Sequence, residues 1–355
     1  MKKVLLLVLA LAMVLSACGN TQQPAAPATP EAPDTSAAGE PAANGDDWHI
    51  VVVPKDATNA WFVRMEDGVR RFNDTHDGVF ARQEGPAATD AAMQAEIIRG
   101  LIAQGVDAIA VVPVDPAALE SVLEEAMEAG IVVVSHEGST LRNTMYNIEA
   151  FNNADYGAFI MQNLAAAMGE EGVFTTMVAH VTNASHNEWA DGGVAYQAAN
   201  FPNMTLLASQ PRVESEDNSE VAFNRTMELI AMYPELRGIM GTSSQDAPGI
   251  ARAIEELGLQ GQFFVSGTGT PNQSRQFVEN GTLSAITLWD PADAGYAMVS
   301  LARMILEGQT IGNGANLGLA GYDNMMLDPG NTVNNTLMGS GWIVIDQSNI
   351  HEFDF

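Results

Sequence analysis

The chain has 355 residues and a formal net charge of −29 at pH 7, with 44 acidic residues, 15 basic residues and a single cysteine. A chain this acidic does not bind nucleic acid or an anionic bilayer through its charge. A single cysteine excludes an intramolecular disulfide, so the folded part tolerates an oxidising exterior without one.

The first predicted element is an export signal. Two lysines precede an apolar stretch at residues 4–15, which is too short to cross a bilayer comfortably. The stretch ends in Leu15-Ser16-Ala17-Cys18, which is similar to the bacterial lipobox, whose cysteine is acylated. We predict a signal peptide over residues 1–17 and lipidation of Cys18, which would anchor an exported protein to the outer face of the cytoplasmic membrane. The alternative is an ordinary signal peptide that contains a cysteine.

A linker is predicted next, over residues 18–47. It is dominated by Ala, Pro, Gly, Thr and acidic residues without apolar periodicity, so it cannot bury enough surface to offset the entropy of ordering. Trp48 ends the linker, and the run Ile50–Val53 begins a core of roughly 300 residues, enough for one large or two medium domains. No second apolar stretch reaches membrane-spanning length, so we expect the lipid to be the sole anchor.

From Trp48 onward, short β-branched runs alternate with amphipathic stretches. The predicted strands are His49–Val53, Val79–Gln83, Ala108–Val112, Ile131–Ser135, Phe174–Ala179, Leu206–Ser209, Gly238–Thr242, Phe263–Ser266 and Ala285–Leu288. The predicted helices are Trp61–Phe72, Ala91–Gln104, Ala117–Ala129, Asp155–Met168, Trp189–Ala199, Glu220–Met232, Ala247–Leu257, Pro271–Val278 and Ala294–Leu306. This alternation indicates parallel sheets covered by helices on both faces.

The alternation pauses once and later stops. No helix is predicted between Glu137 and Asn153, and the series then restarts, so this gap is a candidate domain boundary. After Gly308 the chain is rich in Gly and Asn, with one further strand predicted at Trp342–Ile345.

Several short motifs occur in an order and spacing that resemble the substrate-binding proteins of bacterial ABC importers. The resemblance covers roughly residues 50–306 and is closest to the type I sugar-binding group, in its rhamnose and autoinducer-2 branch. The pieces that carry it are Val53-Pro54-Lys55, Asn59-Ala60-Trp61-Phe62, Gly68, Gly105-Val106-Asp107-Ala108-Ile109, Gly130-Ile131-Val132-Val133-Val134, Asn153-Ala154-Asp155-Tyr156-Gly157, Gly269-Thr270-Pro271-Asn272, Leu288-Trp289-Asp290-Pro291 and Phe353-Asp354-Phe355.

The resemblance implies an α/β fold of two doubly wound parallel-sheet lobes joined by a multi-strand hinge. In such proteins the chain crosses between lobes more than once. The N-terminal lobe would comprise residues 48–148 together with 291–310, and the C-terminal lobe residues 149–290. The lobe of the tail, residues 311–355, is left open. Ligand would lie in the cleft at the carboxyl ends of the strands, where open α/β sheets bind ligands.

Strand ends of the first half supply candidate ligand-binding residues, because a polyol needs flat apolar faces and fixed polar groups. Lys55 stands where the autoinducer-2 branch has a ligand-binding lysine; a solvated surface lysine is the alternative. Trp61 and Phe62 begin a helix where the family stacks aromatic rings on ligand, although core packing is as common for such residues. Glu137 follows the fourth strand, where related binders have an aspartate that accepts hydroxyl hydrogen bonds.

The second half supplies the remaining candidates, with two departures from the autoinducer-2 pattern. His186 lies in a Ser-His pair where those binders have Asp-Gln, and Trp189 matches a tryptophan of that branch. Thr242 and Ser244 follow the eighth strand, where that branch offers mainly backbone contacts; capping of the next helix is the alternative. The set ends with two neighbours at a hinge crossing, Trp289 and Asp290. Thr268 stands where ribose binders carry an aspartate, so we expect that contact to be weakened or missing.

Catalytic and metal sites are not predicted, so we expect a binding protein and no enzyme or cofactor. No Gly-x-Ser-x-Gly motif occurs, and Gly267-x-Gly269 lacks the third glycine of a dinucleotide site. Metal-ligand spacing is absent from the six histidines, which are His49, His76, His136, His180, His186 and His351.

The resemblance implies a monomeric solute-binding lipoprotein that delivers a neutral sugar or sugar-like polyol to ABC permease subunits. Two alternatives keep the same fold. One is a sensory receptor, for autoinducer-2 or a sugar, that signals to a chemotaxis or kinase partner. The other is an exported enzyme.

Overall fold

A computed structural model describes residues 47–355. The predicted signal peptide, the lipidation at Cys18 and nearly all of the predicted linker lie outside the described residues. Within residues 47–355, no helix combines the length and apolarity that crossing a bilayer requires.

Strands and helices alternate as expected through most of the chain. The strands are β1 (Trp48–Val53), β2 (Val79–Gln83), β3 (Ala108–Val111), β4 (Val132–His136), β5 (Tyr146–Glu149), β6 (Glu171–Val178), β7 (Asn203–Leu206), β8 (Arg212–Glu214), β9 (Leu236–Gly241), β10 (Phe264–Gly267), β11 (Ala285–Trp289), β12 (Met326–Leu327), β13 (Thr336–Met338) and β14 (Trp342–Asp346). The helices are α1 (Ala60–Thr75), α2 (Ala91–Gln104), α3 (Pro116–Glu128), α4 (Asn153–Met168), α5 (Ala184–Asn200), α6 (Ser219–Met232), α7 (Asp246–Glu256), α8 (Pro271–Glu279) and α9 (Pro291–Leu306), followed by a 3₁₀ turn at Ile350–Glu352.

The first lobe is built on a seven-stranded sheet with the order β12-β13-β5-β4-β3-β1-β2. All neighbouring strands are parallel except β12, which pairs antiparallel with β13. Alternate residues of β1 enter different cores: Val51 and Val53 pack with residues of α2 and α3, whereas Ile50 and Val52 lie on the opposite face. Helices α1 and α9 cover that face, so the sheet is buried on both sides.

The second lobe is built on a five-stranded parallel sheet with the order β10-β9-β6-β7, in which β8 pairs with the later part of β6. Strand β11 follows β10 through a parallel bridge between Thr268 and Thr287 and pairs antiparallel with β14. The two sheets with helices on both faces confirm the predicted fold class of two doubly wound lobes.

The chain passes between the lobes three times. It leaves the first sheet between β5 and α4, returns between β11 and α9, and leaves again between β13 and β14. The tail is therefore shared: β12 and β13 complete the first sheet, and β14 pairs with β11 beside the second.

In each lobe, one glycine allows two helices to pack closely. A Cβ atom at Gly68 of α1 would lie 1.7 Å from the backbone oxygen of Ala292 in α9. A Cβ atom at Gly157 of α4 would lie 1.9 Å from the backbone oxygen of Trp189 in α5. Because those contacts are with backbone, any side chain here would push the helices apart.

Two predicted elements were misplaced. The strand predicted at Leu206–Ser209 lies earlier, at Asn203–Leu206, and the helix predicted to begin at Trp189 begins at Ala184. The earlier start follows from Asn183, whose side chain accepts the backbone N–H of His186 and caps the helix. Because α5 begins at Ala184, His186 lies in the first turn of this helix and not in a loop.

Candidate functional site

A cavity of about 280 Å³ lies between the lobes at the carboxyl ends of the parallel strands. Lys55 follows β1, Glu137 follows β4, Thr242 follows β9, Thr268 follows β10 and Trp289 ends β11. Such strand ends converge where two lobes face each other, the usual position of a ligand in open α/β sheets. The lining residues are Lys55, Trp61, Phe62, Glu137, His186, Trp189, Asp217, Thr242, Ser244, Thr268 and Trp289.

Three tryptophans form an apolar wall in this cavity. The ring of Trp289 meets Trp61 edge-on at 4.6 Å between centroids and Trp189 at 5.5 Å. Trp289 is 2% exposed, and its indole Nε1 has no hydrogen-bond partner among the described residues. An unpaired buried N–H costs about 1–3 kcal/mol, so this donor is suited to an acceptor on a ligand.

A buried ion pair forms the polar centre of the first lobe's wall. Nζ of Lys55 lies 2.6 Å from Oε2 of Glu137, and both side chains are 3% exposed. Burial is the largest single influence and opposes ionisation, but the charge and hydrogen bond of Lys55, together with weaker nearby interactions, outweigh it and lower the pKa of Glu137 to about 2. The pair therefore carries no net charge into the cavity at neutral pH.

Glu137 also meets the second lobe. Its Oε2 accepts a hydrogen bond from the Ser185 hydroxyl at 2.9 Å. Its backbone φ of 58° is left-handed, which is uncommon for a residue with a side chain. The strained backbone places the carboxylate between Lys55 and Ser185.

His186 is a neutral hydrogen-bond donor in the second lobe's wall. Burial lowers the pKa of His186 well below its usual range, and the charge of Lys55 lowers it further. Its Nδ1 accepts the backbone N–H of Ala179 at 3.3 Å, so the ring proton is on Nε2. The ring also lies 5.1 Å from that of Trp189.

The other polar groups of the second lobe bond mainly within that lobe. The Thr242 hydroxyl donates to the backbone oxygen of Met177 at 3.0 Å, and Thr268 Oγ1 lies 2.8 Å from the Tyr156 hydroxyl. Asp217 accepts a short hydrogen bond from Ser243, and burial raises the pKa of Asp217 despite the opposing charge of Lys55.

The lobes touch around the cavity, as in a closed conformation. Besides the Glu137–Ser185 contact, Nε2 of Gln245 donates to Oδ1 of Asn59 at 3.2 Å. Asn59 caps α1 of the first lobe, and Gln245 precedes α7 of the second.

The structure brings nine of the ten predicted site residues to this cavity and leaves one out. Asp290 is not a lining residue. Its Oδ1 accepts the backbone N–H of Ala292 at 2.9 Å and caps α9, and its two oxygens bind Arg64 at 2.9 and 2.7 Å. The prediction for Asp290 is corrected: its carboxylate joins α9 to α1.

Two lining residues were missed or discounted in the sequence. Asp217 follows β8, a three-residue strand that was not predicted, and it lies one residue before the Asn218 cap of α6. Thr268 was expected to make a weak contact or none, yet it lines the cavity. The signal for Thr268 was its position two residues after the predicted strand Phe263–Ser266.

The described residues around the cavity hold no group of metal-ligating side chains. Within residues 47–355, no three His, Cys, Asp or Glu side chains are grouped closely enough to hold a metal ion.

Comparison with known proteins defines the class to which this fold and cavity belong. The periplasmic binding protein domain family matches residues 50–310. The chain therefore belongs to the periplasmic binding proteins, and it is a binding protein rather than an enzyme, as the sequence indicated.

Among similar sequences is the D-ribose/D-allose-binding protein of Pseudomonas aeruginosa, 25% identical over 271 residues that cover 74% of this chain and 83% of that protein. The D-allose-binding periplasmic protein of Escherichia coli is 26% identical over 259 residues, which cover 69% and 80% of the two chains. Among solved structures, LsrB from Clostridium saccharobutylicum in complex with AI-2 has a TM-score of 0.79 and 20% identity, and the match covers 86% of this chain and 100% of that one. The predicted resemblance to the type I sugar-binding group is confirmed.

Proposed function

We propose that the protein binds a neutral monosaccharide or sugar-like polyol between its lobes and delivers it to an ABC permease. The observation that carries this proposal is the wall of three tryptophans facing a charge-compensated Lys55–Glu137 pair in one cavity. Aromatic rings cover the C–H faces of a sugar, while the ammonium, carboxylate and imidazole groups replace water at its hydroxyls. The relatives named for ribose and allose support the same ligand class.

The charges of the lining residues favour a neutral ligand over a phosphorylated one. Lys55 is the only basic side chain among the lining residues that is charged at neutral pH, and Glu137 already neutralises it. A phosphate would carry up to two negative charges toward Glu137 and Asp217 without a free cation to meet them.

Closure of the lobes would couple binding to delivery. Ligand bridges the walls, so its binding free energy offsets the cost of holding the lobes together. The closed form would then be the one that a permease recognises. The predicted signal and lipidated Cys18 would hold this monomeric protein at the outer face of the membrane, next to such a permease.

A thermal-shift screen tests the ligand class. The panel is D-ribose, D-allose, D-glucose, L-rhamnose, autoinducer-2 and D-ribose 5-phosphate, because a ligand stabilises the state it binds. We expect a concentration-dependent rise in Tm with a neutral sugar and none with the phosphate. A response to autoinducer-2 alone would favour the sensory alternative, and no response to any compound would contradict the proposal.

Trp289→Ala tests whether Trp289 contacts the ligand. We expect it to weaken the binding of the best sugar by about 1–3 kcal/mol in calorimetry, because an aromatic anchor and a hydrogen-bond donor are lost. Trp48→Ala is the control, since Trp48 begins β1 away from the cavity. Equal affinity of Trp289→Ala and the unmodified protein would remove Trp289 from the site.

The anchor has its own test. Cys18→Ala should move the protein from the membrane fraction to the soluble fraction, because the acylated side chain is lost. Membrane association that persists in this variant would contradict lipidation and leave sugar binding unaffected.

A further inference from the structure

A second groove lies between the lobes, outside the cavity described above. It encloses about 1190 Å³, part of it open to solvent. The first lobe contributes residues after β4, the end of β5 and the segment before β13, and the second lobe contributes the starts of α4 and α5. We refer to it as the acidic groove after its four carboxylates, Glu149, Glu188, Asp191 and Asp328.

The acidic groove lacks compensating cations. Among residues 47–355, no lysine, arginine or histidine lines it. Asp191 pairs with Arg212 at 2.7 Å, but the other three carboxylates have no cationic partner among the described residues. A ligand with a positive charge would therefore meet an uncompensated negative surface.

Glu149 is the residue that points to a ligand. It ends β5, is 2% exposed and lines the groove. Its Oε1 accepts a hydrogen bond from Nδ2 of Asn147 at 2.8 Å, but its Oε2 has no hydrogen-bond partner among the described residues. Burial and the nearby charge of Glu188 raise the pKa of Glu149 well above its usual range. The groove therefore holds a buried carboxyl oxygen without a partner, and a cation beside it would favour the ionised form of Glu149.

Glu188 faces Glu149 from the second lobe with its charge uncompensated. Its oxygens accept hydrogen bonds from the neutral donors Ser139 and Asn153, the latter at 2.6 Å. A cation between Glu149 and Glu188 would contact both lobes.

The remaining lining residues restrict the kind of cation. No three acidic or histidine side chains of the described residues are grouped for a metal ion, which favours a polyatomic head over a bare ion. Phe151, Val333 and Met338 add apolar surface, and Val333 is 47% exposed. Apolar surface beside carboxylates suits an aliphatic chain that ends in a charged nitrogen group.

We propose that the acidic groove is a second binding site, for a small organic cation with an ammonium or guanidinium head and an aliphatic chain. Glu149 and Glu188 would bind the head, and the apolar side chains near Val333 would contact the chain. The acidic groove shares no lining residue with the tryptophan-lined cavity, so its failure and the failure of the proposed function are separate results.

Calorimetric titration of the mature protein with agmatine tests the site. We expect saturable binding to one site, with no binding of 1,4-butanediol, which has a similar chain and no charge. Glu149→Gln and Glu188→Gln should each weaken agmatine binding about tenfold or more, as expected for loss of a charge-assisted hydrogen bond. Glu124→Gln makes the same charge change on an exposed face of α3 and should leave the affinity within about twofold.

A second variant locates the site without altering the carboxylates. Val333→Lys adds a tethered ammonium at an exposed position of the groove, so it should fold normally and abolish agmatine binding. Cation binding in the tryptophan-lined cavity would be insensitive to this change. Retained agmatine binding in Val333→Lys, equal binding by all the glutamate variants, or no binding to the unmodified protein would overturn the proposal.

The same head group could belong to a free molecule or to an arginine side chain of another protein. Nα-acetyl-arginine amide presents the guanidinium as a protein would, and agmatine presents it on a free chain. Tighter binding of agmatine identifies a small-molecule site, and tighter binding of the amide identifies a side-chain site. Both results support the cation site.

Discussion

Two buried carboxylates, one in each lobe, have pKa values that are shifted in opposite directions. In the first lobe, Glu137 lies against Lys55, and its pKa falls to about 2. In the second lobe, Asp246 begins α7 outside the set of lining residues and has no ion-pair partner among residues 47–355, and burial raises its pKa to about 7. The comparison teaches that burial alone does not decide the charge of a site: the ammonium group of Lys55, 2.6 Å away, together with weaker nearby interactions reverses the outcome for Glu137.

Breaking the ion pair of the first wall should have the largest effect. Lys55→Met leaves the Glu137 carboxylate buried without its cation, and Glu137→Gln leaves the ammonium of Lys55. We expect either change to lower the free energy of unfolding by about 3–5 kcal/mol, as measured by urea denaturation.

The double variant separates the effect of the charge–charge interaction from the effect of side-chain packing. Lys55→Met with Glu137→Gln removes both charges, so it should recover part of the lost stability. Arg225→Met is the control, because the Arg225–Glu228 pair is about half exposed and its loss should cost less than about 1 kcal/mol. Additive losses in the double variant would mean that the two charges do not stabilise each other.

The raised pKa of Asp246 should make the stability of the protein depend on pH. Below the unfolded pKa of Asp246, near 3.8, both states hold the proton, and between about pH 4 and 7 only the unfolded state releases it. Stability therefore falls as pH rises through this range, by at most about 4 kcal/mol for three pKa units. Glu137 acts in the opposite sense, because its lowered pKa contributes stability above pH 4.5 that is lost as pH falls toward 2.

Asp246→Asn isolates the contribution of the Asp246 carboxyl group to this pH dependence. The asparagine oxygen can still accept the backbone N–H groups of Thr242 and Ser243, as Oδ2 of Asp246 does at 2.9 and 2.8 Å. We expect the stability of the variant relative to the unmodified protein to increase from pH 5 to pH 8, in denaturation curves at both pH values. Asp74→Asn, on an exposed face of α1, is the control. Parallel pH profiles for Asp246→Asn and the unmodified protein would show that Asp246 ionises normally when folded.

The sequence predicted the first wall better than the second. Lys55 and Glu137 each follow a strand with a continuous β-branched run, so both the strand and its end were visible. Asp217 follows β8, in which only Val213 of three residues is buried, so no periodicity marked the strand. Its left-handed backbone, with φ of 54°, is a second feature that residue type does not reveal.

The error at Asp290 had a readable signal. Asp115-Pro116 and Asp290-Pro291 share a pattern that is typical of a helix start, with a carboxylate at the N-cap and proline in the first turn. In both cases the aspartate accepts backbone N–H groups of its own helix. Because the Asp290 side chain caps α9, it does not line the cavity. For this residue, the helix-capping pattern was a better guide than its position after a strand. The burial of Trp289, by contrast, depends on three crossings of the chain that no local pattern specifies.

The smallest expected effect concerns the contact of the two lobes outside the cavity. The C-terminal Phe355 touches both: its ring lies 4.6 Å from the Arg64 guanidinium of α1, and its backbone oxygen accepts the N–H of Asn272 in α8 at 2.9 Å. Phe355→Ala removes a cation–π contact of about 0.5–1 kcal/mol that exists only when the lobes are together. We therefore expect about a two- to fivefold loss of affinity for the best sugar, with a smaller effect in urea denaturation, because Phe355 is only partly buried against the core.

Phe80→Ala should give the reverse result. Phe80 is half-buried in β2 at the edge of the first sheet and contacts His49, away from the second lobe. Its truncation should lower stability and leave sugar affinity unchanged, because closure does not alter its surroundings. If Phe355→Ala instead lowers stability and spares affinity, the tail stabilises a lobe and makes no contribution to closure.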